Sequence, residues 1–261
     1  MTDPVWQLDV GEGPLVATAI HDGGAVRTDV LPYMALDGAS RRREEDPFTA
    51  RWASVAPVRI VGLRSRFEVD LNRPREKAVY RVPADCWGLE LWKDGLPDEV
   101  AAESLAEYDA FYEMLDDVYG RLATTYGRFV VFDFHSYNHR RGGPAADAAD
   151  EAGNPQVNVG TGTLHERSEW AKLIDRFIDD LHAYDFPGGP LDVRENVKFR
   201  GGQHARWAHQ RFPGSACVLS IEVKKIFMDE WTGVPDTALI ATLGDALAST
   251  VPGVLDELRK A

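Results

Sequence analysis

Two histidines and an acid stand at or near the ends of three apolar runs. His21 follows "VATAI", His135 follows "VVFDF", and Glu222 lies inside "VLSIEV". In α/β sheets, ligands gather in the crevice at the carboxyl ends of strands. Two imidazoles and a carboxylate delivered there suit a catalytic zinc site that keeps one position open for water. The acids of "RREEDPFT" extend the set: Glu45 and Asp46 are expected at a helix entrance, where the dipole favours anions, and one of them would be a third ligand. Glu222 has a separate claim, because a carboxylate in an apolar strand is costly to bury without a partner. Ser136, beside His135, lacks the G-x-S-x-G surroundings of a nucleophile elbow and is not read as one. Asp133 shares a strand face with His135 by alternation and is placed to orient it.

A second group lies in "SRFEVDLNRPRE", where Arg66, Asp70, Asn72 and Arg73 occupy one short, extended-looking segment. A guanidinium presents a planar fork that suits a carboxylate, and a neighbouring amide adds a hydrogen bond.

These residues need rigid elements to position them. Strands are predicted at 14–20, 58–63, 128–134 and 216–223, the third stopping near His135. Leu105, Tyr108, Phe111, Tyr112, Leu115, Val118, Tyr119 and Leu122 recur at three- and four-residue steps and predict a helix over 98–126. Trp170, Leu173, Ile174, Phe177, Ile178 and Leu181 mark another helix, and 236–259 a closing one. A strand "NVKF" is expected before Gly201 and Gly202, and residues 138–164 read as one long loop of the kind that forms lids or binding loops. Strands alternating with helices predict a single α/β domain over 1–261, with a mostly parallel or mixed sheet covered by helices.

Composition sets outer bounds. The formal net charge of −13 argues against a nucleic-acid surface. No run approaches 18 apolar residues, so no membrane span is expected. No signal peptide is visible, and two cysteines are too few for a disulfide framework, so a reduced, cytoplasmic setting is expected. Oligomeric state cannot be read.

Taken together, "SRFEVDLNRP", "FDFHSYNHRRGG", "FRGGQHARW" and "LSIEVKKIFMDE", in that order, resemble the N-formylglutamate amidohydrolase family. "REEDPFT" and "VNVGTGTL" fit the same pattern, and the likeness spans roughly 14–232. The family is related to zinc carboxypeptidases and to the aspartoacylase and succinylglutamate desuccinylase group. The resemblance implies a twisted mixed sheet with helices on both faces, a carboxypeptidase-like (phosphorylase/hydrolase-like) fold. It implies one Zn²⁺ per chain held by His21, His135 and either Glu45 or Asp46, with Glu44 a distant third. Glu222 would be the general base and Arg66 would polarise the scissile carbonyl. Asn72 and Arg73 would bind a substrate carboxylate, and Gly201 and Gly202 would let the backbone approach substrate. Arg73, Arg140 and Arg141 would receive a small anionic N-acyl amino acid, with N-formyl-L-glutamate as the namesake. The alternatives are another N-acyl amino acid or small peptide, or a carboxylate-binding protein without catalysis.

Overall fold

The structure is a computed structural model and describes residues 4–260. Its seven strands are β1 (Trp6–Asp9), β2 (Leu15–Ala19), β3 (Val58–Gly62), β4 (Phe129–Tyr137), β5 (Val157–Gly160), β6 (Val193–Glu195) and β7 (Ala216–Lys224). They form one mixed sheet in the order β1-β3-β2-β4-β7-β5-β6. The centre, β3-β2-β4-β7, is parallel, whereas β1 joins β3 and β5 joins β7 antiparallel. The five α-helices are α1 (Gly38–Glu44), α2 (Asp98–Tyr126), α3 (Ala171–Ala183), α4 (Gln203–Arg211) and α5 (Thr237–Lys260).

Alternation along β4 explains the two-sided cover. Val130, Phe132 and Phe134 join the core under α3, α5 and the 3-10 helix Thr49–Val55. Phe129 and Val131 face the core under α2 and α4. A strand buried on both faces reads as a continuous apolar run, as the central strands of parallel sheets do. On the α2 face, the positions following Val131 at steps of two are Asp133 and His135. Helix α2 begins with Asp98 and Glu99 in its first turn, where the dipole favours acids, and ends at Gly127, whose φ of 75° suits a residue without Cβ. Helix α5 is long and apolar enough, by length and composition, to cross a membrane. Its Ile240, Leu243, Ala246, Leu247, Val254 and Leu258 lie in the core against α3.

Several local expectations are corrected. Strand β4 does not stop at His135 but runs to Tyr137, in register with β7 throughout. The long loop contains β5, a four-residue strand made by pairing with β7 and too short to show a period of its own. "NVKF" is not a strand; β6 lies just before it. Residues 65–76 are turns that lead into the 3-10 helix Arg75–Lys77, not an extended segment. Glu45 and Asp46 do not open a helix: Glu45 is the C-cap of α1, and Asp46 precedes the 3-10 helix by way of Phe48 at φ 75°.

Candidate active site

A cavity of about 360 Å³ opens where the parallel strands end, and its wall includes His21, Asp46, Arg66, Asn72, Arg73, His135, Gly201, Gly202 and Glu222. His21 lies two residues past β2, and His135 and Glu222 are register partners on β4 and β7. Asp46 reaches the group because its backbone N–H donates to the His21 carbonyl at 2.9 Å.

The ligating atoms of His21, Asp46 and His135 lie within 4.8 Å of one another, all buried. One Asp46 oxygen stands 3.1 Å from His135 Nδ1 and 3.4 Å from His21 Nδ1. Its other oxygen accepts a 3.0 Å hydrogen bond from Ser136, which gives that serine a holding role. Each imidazole turns its Nε2 to a second carboxylate: Asp70 stands 2.8 Å from His21, and Asp133 stands 3.1 Å from His135. A carboxylate on the far ring nitrogen is how metal-binding histidines are oriented. The donor set fits a divalent metal such as zinc, and His21 Nδ1, buried and without a hydrogen-bond partner, is the atom left for it. Burial opposes ionisation of Asp46, but the His135 hydrogen bond and the adjacent His21 imidazole outweigh it and hold the carboxyl far below its ordinary range.

Glu45 is not part of this group. Its carboxyl accepts a 2.5 Å hydrogen bond from Ser65, and burial raises its pKa despite that bond. Glu44 instead pairs with Arg43 and Arg141.

Glu222 has no ion pair among the described residues; Lys224 is not its partner. Burial pushes its pKa to about 7; nearby His135 opposes the rise, while Asp46 and Asp133 add to it. Arg66 donates to Asp70 at 2.8 Å and stacks 4.9 Å over the Trp87 ring. The carbonyls of Leu71 and Arg73 accept hydrogen bonds from Tyr112 and Tyr108 of α2, so the long helix braces the segment that carries Asn72 and Arg73. Asn72 Oδ1 accepts from the His204 backbone N–H at 2.9 Å, and its amide nitrogen lies 3.3 Å from His135 Nε2. Arg73 is half exposed, 3.9 Å from Asp70.

The two glycines line the cavity. A Cβ on Gly202 would overlap the Asn72 amide, so its bare backbone admits Asn72. Gly201 takes φ 102°, the left-handed region. Arg140 does not line the cavity and donates to the carbonyls of Pro144 and Ala146. Arg200 and Arg206 line it instead, and among the described residues no acid pairs with either. Both lie in the motif "FRGGQHARW", of which only the glycines were singled out; the fold turns the start of α4 toward the cavity. Asp70 was singled out with its neighbours, but its pairing with His21 was not foreseen, because that link spans 49 residues.

No curated protein matches the sequence significantly. A crystal structure of N-formylglutamate amidohydrolase from Ralstonia eutropha JMP134 is similar, with TM-score 0.74 at 15% identity, covering 98% of each chain. A gene product of Agrobacterium tumefaciens is similar with TM-score 0.65, also at 15% identity, over 97% of each chain. A carboxypeptidase A-like structure from Shewanella denitrificans matches over 97% of this chain and 61% of its own at TM-score 0.38 and 14% identity, too low a score to carry an argument. At these identities the likenesses speak for the fold alone. The family model described as N-formylglutamate amidohydrolase matches residues 13–228, most of the sequence. The chain belongs to the N-formylglutamate amidohydrolase family, whose members are amidohydrolases.

Proposed function

We propose that this chain hydrolyses the amide bond of an N-acyl amino acid, N-formyl-L-glutamate foremost, with one zinc ion per chain. The observation that carries the reading is the buried His21–Asp46–His135 group in the same cavity as Glu222, Asn72 and Arg73. Zinc held by those three ligands supplies acidification of a water and polarisation of the scissile carbonyl. Glu222 takes a proton from the attacking water and passes it to the leaving nitrogen; a pKa near neutrality suits both halves of that task. Arg66, pinned by Asp70, faces the oxygen that gains negative charge. Arg73 and the Asn72 amide receive the substrate carboxylate. The unpaired Arg200 and Arg206 draw an anion into a protein whose net charge of −13 would otherwise repel it. Formate and glutamate leave as products.

The setting we propose is cytoplasmic, in keeping with two buried free cysteines, and without nucleic-acid or membrane partners. The test is metal analysis of the purified protein together with formate release from N-formyl-L-glutamate. About one zinc per chain and activity abolished by chelation and restored by zinc are expected. Full activity after exhaustive chelation would overturn the reading.

A further inference from the structure

The motif "FRGGQHARW" contributes more to the cavity than its glycines. His204, the second residue of α4, is wholly buried beneath the wall and touches neither the metal group nor the cavity. It meets the site along two routes. Its backbone N–H donates to Asn72 Oδ1 at 2.9 Å, so Asn72 satisfies a free donor at the start of α4, where Gly202 has no side chain to do so. Its ring Nδ1 lies 3.1 Å from one oxygen of Asp133, whose other oxygen lies 3.1 Å from His135 Nε2.

On the far side, the Tyr119 hydroxyl stands 2.8 Å from His204 Nε2. With the hydroxyl donating there, the ring proton sits on Nδ1 and faces Asp133. Thr18 donates to the same Asp133 oxygen at 2.6 Å. Asp133 is therefore hydrogen-bonded by Thr18 of β2 and lies in close contact with His204 of α4 and with His135 of its own strand, all of them buried. Its position sets the ring plane of His135, because Nε2 must face it when Nδ1 faces Asp46.

We propose that His204 is a positioning residue: it orients His135 through Asp133 and Asn72 through its backbone, so one helix start aligns a metal ligand with a carboxylate-binding amide. The ordinary alternative is a core histidine that only packs α4 against α2. The two differ in what substitution does to metal affinity. The inference rests on the zinc reading but needs no particular substrate, so it is tested without turnover.

The experiment measures zinc affinity by chelator competition, the visible spectrum of the Co²⁺ form, and the melting temperature of the metal-free protein. Wild type is compared with His204→Asn, His204→Gln, His204→Leu and Tyr119→Phe. An asparagine amide can replace Nδ1–H toward Asp133, whereas glutamine reaches toward Tyr119. Loss of such outer partners typically weakens metal binding about 10–100-fold. His204→Gln and His204→Leu are expected to show that loss with an altered Co²⁺ spectrum. His204→Asn should recover most of the affinity, and Tyr119→Phe should lose about severalfold. Zinc affinity equal to wild type in His204→Gln, with only the melting temperature lowered, would overturn the proposal. Equal losses in the asparagine and glutamine variants would do so too, and that comparison stands even if His204→Leu does not fold. Absence of zinc binding in wild type would instead reject the metal reading itself.

Discussion

Glu45 and Asp46 are neighbours in the chain with different surroundings. Asp46 stands between two imidazoles, whereas Glu45 turns to Ser65. Asp46→Ala should lose zinc by orders of magnitude, and Glu45→Gln should retain it within about tenfold, the mild end of what distant partners cost. Metal content of the two variants after dialysis decides between them, and the opposite result would move the third ligand to Glu45. Glu222 is separable from both. Glu222→Gln keeps the shape but cannot accept a proton, so kcat should fall about 10²–10⁴-fold. Zinc should stay bound and KM should change little, because His21, Asp46, His135, Asn72 and Arg73 are untouched. Near-normal turnover by a stable, zinc-loaded Glu222→Gln protein would show that another group moves the proton.

Among the elements, α4 is the one whose start and end both matter. At its start, Gly202→Ala would push a methyl into the Asn72 amide. The shift also moves the amide from the substrate carboxylate, and losing one such hydrogen bond, about 1 kcal/mol, should raise KM about fivefold while zinc remains bound. Unchanged kinetics would remove Asn72 from substrate binding. Toward its end, His209 is buried, with Nε2 accepting from the Val218 N–H of β7 at 2.9 Å and Nδ1 3.0 Å from the Thr163 hydroxyl. Burial, the largest influence, depresses its pKa to about 4, against an ordinary value of about 6.5. The unfolded chain therefore takes the proton first, and stability falls as pH drops from about 6.5 to about 4, then levels off. The penalty is on the order of 3 kcal/mol from this one group. His209→Gln keeps an acceptor near Val218 but does not titrate, so its denaturant stability should depend less on pH across that window. An unchanged slope would assign the acid sensitivity to other groups.

At the scale of the whole molecule, the sheet separates two of the apolar clusters, and the site sits at the carboxyl ends of its parallel strands. Phe177 of α3 is fully buried and meets Phe132 of β4 edge-on at 5.1 Å. Phe177→Ala should cost about 3–5 kcal/mol, as large core truncations do. Because β4 also carries His135, the folded fraction should still bind zinc, with the loss confined to the denaturation midpoint. Lowered zinc affinity in the folded variant would mean that the core tunes the site directly.

What the amino-acid sequence determined by itself was local and periodic. The bounds of α2 match its predicted 98–126, because nine buried positions repeat at helical spacing between an acidic first turn and Gly127. Strands β2, β4 and β7 were legible because central parallel strands are apolar on both faces, and β3 because it is rich in β-branched residues. The edge strands β1 and β6 and short β5 were not, since few residues each acquire strand geometry from a neighbour instead of from their own pattern. The histidines and Glu222 stood out as polar groups in or after apolar runs. Asp133 was legible beside His135 by alternation, but which acid joins the histidines and which carboxylate orients His21 depended on contacts such as His21–Asp70, His135–Asp46 and Asn72–His204, separated by 49, 89 and 132 residues. No local spacing encodes those meetings; they follow from strand order and from where α4 begins, and only the folded chain sets both.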